Sequence, residues 1–253
     1  MRKCFHLHMM KTGGTTVTAA IIEGATGLPY EQVMERVGQE DEARLIASGG
    51  VLDVTHEGGT LILSPYSNGD LSEPFDFAFV HTRMDLLRGW DKTSAIVFTI
   101  LRDPVERILS LWRYTQTAQK VAQQDPNAKM PNQFGMRERM SAFDPDPVQF
   151  FRNLPLHDAL HQLYVFSPTF NVVEAMQNLR KCSAVLCTET LKEDLPQLLA
   201  HLEIGRVETA LKNVSEERPP YTQAQRDDLA MLLAPEYRLY DYVHQCRDGI
   251  FLR

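Results

Sequence analysis

Near the N-terminus the sequence reads "KCFHLHMMKTGGTTVTAAIIEG", residues 3–24, and this segment is the strongest indication of the protein's architecture. Residues 3–10 are short and mostly apolar, which is typical of a buried strand, and the Gly13–Gly14 turn follows them closely. The residues after the turn carry apolar side chains at helical spacing: Val17, Ala20, Ile21 and Ala25. The stretch therefore predicts a strand, a glycine loop and a helix in succession.

The rest of the chain alternates strand patterns with helix patterns. Three further apolar runs, rich in β-branched and aromatic residues, predict buried strands: 75–81, 94–101 and 183–189. Five helical patterns follow or separate them: 104–122, 146–163 with a break near Pro155, 171–180, 191–202, and 222–246 with an interruption at Pro235. This alternation predicts an α/β fold whose mainly parallel central sheet is flanked by helices, with ligands beyond the carboxyl ends of the strands.

Two stretches look like additions to this frame. Residues 49–70 predict an inserted hairpin that turns at Gly58–Gly59, and residues 123–147, which contain four prolines, predict a loop or lid. A chain of 253 residues is long enough for one sizeable α/β domain and short for two. We therefore expect a single domain over residues 1–253.

Composition excludes several classes of function. A formal net charge of -7 argues against general nucleic-acid binding, which needs a basic face. The N-terminal apolar run is interrupted by Lys11 before it reaches the length of a membrane span or a signal peptide, so we expect no membrane span and a cytoplasmic protein. The four cysteines form no CxxC pair for zinc.

The segment "KTGGTT", residues 11–16, has the parts of an anion-binding loop. A glycine turn between a strand and a helix presents unpaired N–H groups and a partial positive charge. Loops for triphosphates follow GxxxxGK[ST], with the lysine after the glycines, whereas Lys11 comes before them. We therefore expect this loop to bind a single phosphate, although a surface turn capped by threonine has the same glycines. The residues assigned to binding are Lys11, Thr12, Gly13, Gly14, Thr15 and Thr16.

A second motif, "FTILRDPVERILSLWRY" at residues 98–114, favours the phosphate interpretation. Arg102 comes just after a predicted strand, and Ser110 lies about two turns into the helix that follows. An arginine at the carboxyl end of a strand and a serine on the next helix can both hydrogen-bond one phosphate.

Together, "HMMKTGGTT" (8–16) and "TILRDPVERILSLWRY" (99–114) resemble the sulfotransferase superfamily, in particular the branch of carbohydrate sulfotransferases and their bacterial relatives. The resemblance implies a P-loop-like nucleotide-binding fold, with the first motif on the 5'-phosphosulfate of 3'-phosphoadenosine 5'-phosphosulfate and the second on its 3'-phosphate. It extends more weakly to residues 183–204. The segment "LKNVSEERPPYT" (211–222) is similar to a late loop that closes over the nucleotide, with Arg218 as a phosphate contact.

The implied reaction is transfer of a sulfuryl group to the hydroxyl of a carbohydrate or small metabolite, without a metal, leaving 3',5'-adenosine bisphosphate. Lys11 and His81 are the catalytic candidates. Lys11 stabilises charge on the leaving phosphate, and His81 is the general base. His81 ends a predicted strand, and its unperturbed pKa near 6.5 suits proton transfer at neutral pH. His56 and Glu57, in the predicted hairpin, are the reserve bases.

Two other classes of function stay open at this point. A nucleotide-dependent small-molecule kinase needs a magnesium-binding Ser or Thr after a loop lysine, and the absence of GK[ST] counts against it. A non-catalytic module that kept a nucleotide pocket is the second alternative. The acceptor itself is not specified by the sequence.

Several further side chains have structural interpretations. His6 and His8 share one face of a strand, but the sequence offers no third ligand at a suitable spacing, so we expect structural histidines rather than a metal site. On the helix after Arg102, we expect Leu109 and Trp112 to pack on the sheet and Arg113 to lie in solvent.

Overall fold

Six strands form the sheet of the computed structural model, which describes residues 1–39, 51–65, 67–90, 94–125, 135–205 and 221–246. The strands are β1 (Cys4–Leu7), β2 (Leu52–His56), β3 (Gly59–Ser64), β4 (Phe77–Val80), β5 (Ile96–Leu101) and β6 (Ala184–Cys187). Their order across the sheet is β2-β3-β4-β1-β5-β6. The β2–β3 pair is antiparallel, and the other neighbours run parallel.

The described helices connect and cover these strands. They are α1 (Gly14–Thr26), α2 (Tyr30–Gln39), α3 (Pro104–Gln124), α4 (Met136–Ala142), α5 (Pro147–Asn153), α6 (Leu156–Ala159), α7 (His161–Phe166), α8 (Val172–Leu179), α9 (Leu191–His201), α10 (Gln223–Leu232) and α11 (Ala234–Gln245). Single 3-10 turns lie at Met84–Leu86 and Thr188–Thr190. Among the described residues, none of these helices is both long and apolar enough to cross a bilayer.

Each face of the sheet has its own apolar core. On one face, α1, α2 and α9 pack side chains such as Ile21 and Leu198 against Phe98 of β5. On the other face, α3 and the helices that follow it bury Trp112 and Leu109 among residues of β1 and β5. The predicted fold class is confirmed: this is a single α/β domain with a mainly parallel central sheet flanked by helices. The predicted packing of Leu109 and Trp112 is also confirmed.

Local chemistry explains where the helix with the second motif begins. Asp103 caps α3 through its side chain, which accepts a hydrogen bond from the Glu106 N–H at 2.9 Å. Pro104 then occupies the first turn, where its missing N–H is not needed. The cap fixes Arg102 in the short connection between β5 and α3.

Three predicted boundaries differ from the structure. The 146–163 pattern divides into α5, α6 and α7, because a second break at Leu160 adds to the one near Pro155. The C-terminal pattern breaks at Leu233, since Pro235 is accommodated in the first turn of α11. The described part of the expected loop at 123–147 contains α4, which packs on α3 through a hydrogen bond from Gln119 to the Met140 carbonyl.

The hairpin expected within 49–70 is formed by β2 and β3, with His56 paired to Gly59 beside its turn. It extends the central sheet, because β3 runs parallel to β4. Leu63, near the end of β3, pairs with Phe77 at the start of β4. The hairpin turn therefore lies at the amino-terminal edge of the parallel strands.

Candidate functional site

Four parallel strands end at one edge of the sheet, and a candidate residue follows each of them. The loop with Lys11 follows β1, His81 follows β4, Arg102 follows β5 and Thr188 follows β6. The parallel pairing of these strands brings their carboxyl ends together. This is the edge at which open α/β sheets bind their ligands.

The loop after β1 has the backbone of an anion-binding turn. Gly13 is the N-cap of α1 with a φ of 81°, and its position has no side-chain cap. The Thr16 N–H donates to the Gly13 carbonyl at 3.0 Å, and no side chain caps the N–H groups of Gly14 and Thr15 before it. The helix dipole favours negative charge at this end of α1, where an anion can accept from these groups. Lys11 also has a positive φ, 65°, which costs a residue with a Cβ about 1 kcal/mol or more. Such strain clusters at ligand sites.

Hydrogen bonds from neighbouring strands hold this loop in place. The Thr188 hydroxyl lies 2.7 Å from the Thr12 carbonyl oxygen and 3.1 Å from that of Leu101. Arg102 donates through Nη1 to the Lys11 carbonyl at 3.2 Å. Thr12 is buried, and its own hydroxyl donates to the Met9 carbonyl, so this side chain shapes the loop. Sequence reasoning missed Thr188, although a hydroxyl residue at the end of a predicted parallel strand is a usable signal.

Gly14 is required for a reason that the sequence did not reveal. A Cβ added at this position would lie 2.2 Å from Cδ2 and Nε2 of His8 and 2.9 Å from Cε1 of His6. The start of α1 therefore packs directly on the His8 ring. The two glycines therefore have different roles: Gly13 supplies the positive φ of the loop, and Gly14 makes room for the His8 ring.

Backbone contacts fix Arg102 at the end of β5. Its N–H donates to Gln162 Oε1 at 2.8 Å, and its carbonyl accepts from Gln162 Nε2 at 3.0 Å. Its guanidinium lies 4.0 Å from the Glu106 carboxylate, and Glu106 also pairs with Arg226 at 2.5 Å. The Nε of Arg102 is buried and has no hydrogen-bond partner in the described residues. A donor is thus held in position without an acceptor.

Three cations, Lys11, Arg102 and Arg113, are close enough to interact electrostatically. The Lys11 ammonium lies over the Tyr114 ring, 4.2 Å from its centroid. Burial lowers the pKa of Lys11 to about 8, and repulsion by Arg102 and Arg113 acts in the same direction. The expectation that Arg113 lies in solvent is wrong: its side chain is buried, and its charge acts on Lys11 and Arg102.

A buried ion pair stabilises the segment that holds Arg102. Arg107 and Glu236 are both fully buried, with Nη2 3.4 Å from Oε2. Arg107 also donates to the carbonyls of Asp158 and Ala159, and Glu236 accepts from the Gln162 N–H at 2.7 Å. The pair therefore connects α3, α7 and α11, and through Gln162 it supports Arg102. The sequence pattern did not separate Arg107 from an ordinary helical arginine.

A stack of aromatic rings runs from the core to the site. His6 lies between Phe98 and His8, with ring centroids 4.6 Å and 4.7 Å away, and His8 stacks on His81 at 4.2 Å. His6 Nδ1 hydrogen-bonds the Thr18 hydroxyl at 3.2 Å. Burial lowers the pKa of His6 to about 3 and that of His8 well below 6.5. Both rings are therefore neutral at physiological pH and serve as packing surfaces. Among the described residues there is no cluster of three or more His, Cys, Asp or Glu suited to a metal.

His81 forms the solvent-facing end of this stack. His81 keeps exposed surface, but the surrounding protein removes much of the water around its ring, and this desolvation lowers the pKa of His81 below 6.5. A hydrogen bond with the His8 backbone raises the pKa, and the charge of Arg139 lowers it further. His81 is therefore neutral at pH 7 and can accept a proton there.

The other predicted site residues have different positions. Ser110 is partly exposed on α3, one turn after Glu106. His56 and Glu57 lie at the hairpin turn, on the opposite edge of the sheet from His81, which removes them as reserve bases. Arg218 lies outside the described residues.

Comparisons with known proteins give a limited result. No protein-family model matches the chain, and no curated protein shows significant sequence similarity to it. Among solved structures, a sulfotransferase from Alicyclobacillus acidocaldarius is similar over 96% of each chain, at 12% sequence identity and a TM-score of 0.41.

Proposed function

We propose that the protein is a sulfotransferase that moves a sulfuryl group from 3'-phosphoadenosine 5'-phosphosulfate to the hydroxyl of a carbohydrate or small metabolite. One observation carries the proposal. The glycine loop with Lys11, the Arg102 end of β5 and a neutral, exposed His81 all lie at the carboxyl edge of the same sheet. Both sequence motifs that resemble the sulfotransferase superfamily lie at this edge.

The residues at this edge fit an anionic nucleotide. Gly13 leaves the first N–H groups of α1 without a side-chain cap, and Arg102 keeps a buried Nε without an acceptor. A bound phosphate supplies acceptors to such donors, and charge-assisted bonds are the stronger kind. In this proposal Lys11, Thr12, Gly13, Gly14, Thr15 and Thr16 form the 5' side of the nucleotide site, and Arg102 and Ser110 form the 3'-phosphate side.

The chain's own groups would divide the chemistry between them. The donor supplies an activated sulfuryl group when bound. Lys11 and the loop amides stabilise the charge that develops on the leaving phosphate oxygen. His81 takes the proton from the acceptor hydroxyl as the new oxygen–sulfur bond forms. His8 holds the His81 ring by stacking, and the same His8 ring touches Gly14 at the start of the loop helix.

Calorimetry tests which nucleotide the protein binds. Adenosine 3',5'-bisphosphate should bind more tightly than ATP with magnesium, because ATP has no 3'-phosphate for Arg102 and Ser110. Arg102→Ala should weaken bisphosphate binding by roughly 1.5–3 kcal/mol, and Ser110→Ala by less. Arg152→Ala, which removes an exposed arginine from α5, is the control and should change nothing. Equal or tighter binding of magnesium ATP by the parent protein contradicts the sulfotransferase assignment.

A further inference from the structure

Arg113 is a buried cation whose hydrogen-bonding capacity is not used within the described chain. Its side chain is 9% exposed. Two of its donors, Nε and Nη1, are buried and have no partner among the described residues. Leaving buried donors of a charged group unpaired is costly, so native proteins keep them where a ligand supplies the acceptors.

The surroundings of Arg113 belong to the nucleotide side of the site. Arg113 lies on α3 one turn after Ser110 and next to Tyr114, whose ring carries the Lys11 ammonium. Its positive charge acts on both Lys11 and Arg102, lowering the pKa of each in addition to the effect of burial. The cation is therefore close to both halves of the anion site.

Within the described structure, carboxylates lie near Arg102, which is 4.0 Å from Glu106, but none pairs with Arg113. Glu106 is the carboxylate on which Arg113 acts, and its closest ion pair is with Arg226 at 2.5 Å. Asp103 and Glu189 also act on Arg102, but Asp103 accepts from the Tyr237 hydroxyl at 3.0 Å and Glu189 from that of Tyr240 at 2.9 Å. No carboxylate of the described residues lies within 4.0 Å of the Arg113 guanidinium.

We propose that Arg113 is a third anion-binding residue of this site and donates hydrogen bonds to a phosphate group of the bound nucleotide. The proposal deepens the function proposed above and rests on it. It makes Arg113 a determinant of selectivity for doubly phosphorylated nucleosides. Lys11, Arg102 and Arg113 together match the charge of such a ligand better than two cations can.

The test compares Arg113→Met with Lys120→Met, which removes an exposed positive charge from the same helix two turns later. Binding of adenosine 3',5'-bisphosphate is measured by calorimetry, and the melting temperature is measured without ligand. We expect Arg113→Met to weaken binding about 10-fold or more, and Lys120→Met to leave it within about twofold. The melting temperature of Arg113→Met should be unchanged or higher, because an unpaired buried charge is removed.

Unchanged bisphosphate affinity in Arg113→Met overturns the proposal. If the melting temperature is also clearly lower, Arg113 has a structural role instead. If Arg113→Met fails to fold, Arg113→Lys gives the same comparison, since lysine keeps the charge but loses the arginine donors; affinity equal to the parent then contradicts the proposal.

The proposed function can fail separately. If the parent protein does not bind the bisphosphate, the sulfotransferase assignment is wrong, and inorganic pyrophosphate becomes the probe for Arg113. A 10-fold loss of pyrophosphate affinity in Arg113→Met then supports the anion site, and no loss overturns it.

Discussion

Replacing Gly14 by alanine tests the link between the glycine loop and the histidine stack. The new Cβ would lie 2.2 Å from two atoms of the His8 ring, more than an ångström closer than carbon atoms pack, about 3.5–4.0 Å. His8 cannot move without disturbing His81, whose ring centroid is 4.2 Å away. We therefore expect Gly14→Ala to displace His8 and to lose both stability and transfer activity.

Two opposing effects set the change in stability on Gly14→Ala. Overpacking a filled site costs about 1–3 kcal/mol, whereas alanine in a helix is favoured over glycine by up to about 1 kcal/mol. Gly38→Ala in α2 isolates the second term, because an added Cβ there meets nothing within 4 Å. We expect Gly38→Ala to raise the melting temperature slightly. Gly14→Ala should lower it by several degrees, since about 1 kcal/mol corresponds to about 2–4 °C in a chain of this size.

Differential scanning calorimetry measures both variants, and a His8→Ala background supplies the decisive comparison. Without the His8 ring the main overlap is gone, and the 2.9 Å approach to His6 is the smaller overlap that stays. Gly14→Ala should then cost little. Equal melting temperatures for Gly14→Ala and Gly38→Ala, or an undiminished cost of Gly14→Ala in the His8→Ala background, would refute the reasoning.

Three further predictions concern charge and proton transfer. In the protein without ligand the pKa of Lys11 is about 8, so its ammonium loses its proton as the pH rises through 8. Bisphosphate affinity measured by calorimetry should therefore fall above that pH, and Lys11→Arg should make the affinity less dependent on pH. His81→Ala should lower the transfer rate about 10²- to 10⁴-fold with nearly unchanged donor affinity. In the parent protein, the fall of the transfer rate at acid pH should occur below pH 6.5, because the pKa of His81 is lowered. Glu236→Gln leaves the buried Arg107 without its counter-charge and should cost about 3 kcal/mol or more in urea unfolding, whereas Asp241→Asn, exposed on the same helix, should cost almost nothing. Flat affinity from pH 7 to 9, residual transfer within a few-fold in His81→Ala, or equal unfolding of the two α11 variants would contradict the respective argument.

The sequence predicted the strands and the order of elements because their signals are local. The apolar runs before Lys11 and Arg102 mark β1 and β5, and the glycines mark the connection to α1. Strand ends of a parallel sheet meet at one edge, so the convergence of Lys11, His81 and Arg102 followed from the fold class alone.

What the sequence did not reveal depends on contacts between distant segments. Arg113 was expected in solvent, because helical spacing alone does not show that its charge is buried near Lys11 and Arg102. Thr188 is linked to Thr12 across 176 positions, which no local pattern encodes. The pairing of β3 with β4 decides at which edge of the sheet the hairpin turn lies, and periodicity does not specify that pairing. The sequence therefore did not show that His56 and Glu57 lie at the opposite edge from His81.

The hydrogen bonds that fix Arg102 also set an order of assembly. Gln162 comes 60 residues after Arg102, and Glu236 comes a further 74 residues later. A chain that emerges from the ribosome N-terminus first can form β1 and the glycine loop early, but Arg102 gains its support only after α11 has emerged. We expect nascent chains that end before Ala234 to lack affinity for the nucleotide even when their sheet has formed. Ligand binding would then report that α11 has joined the fold.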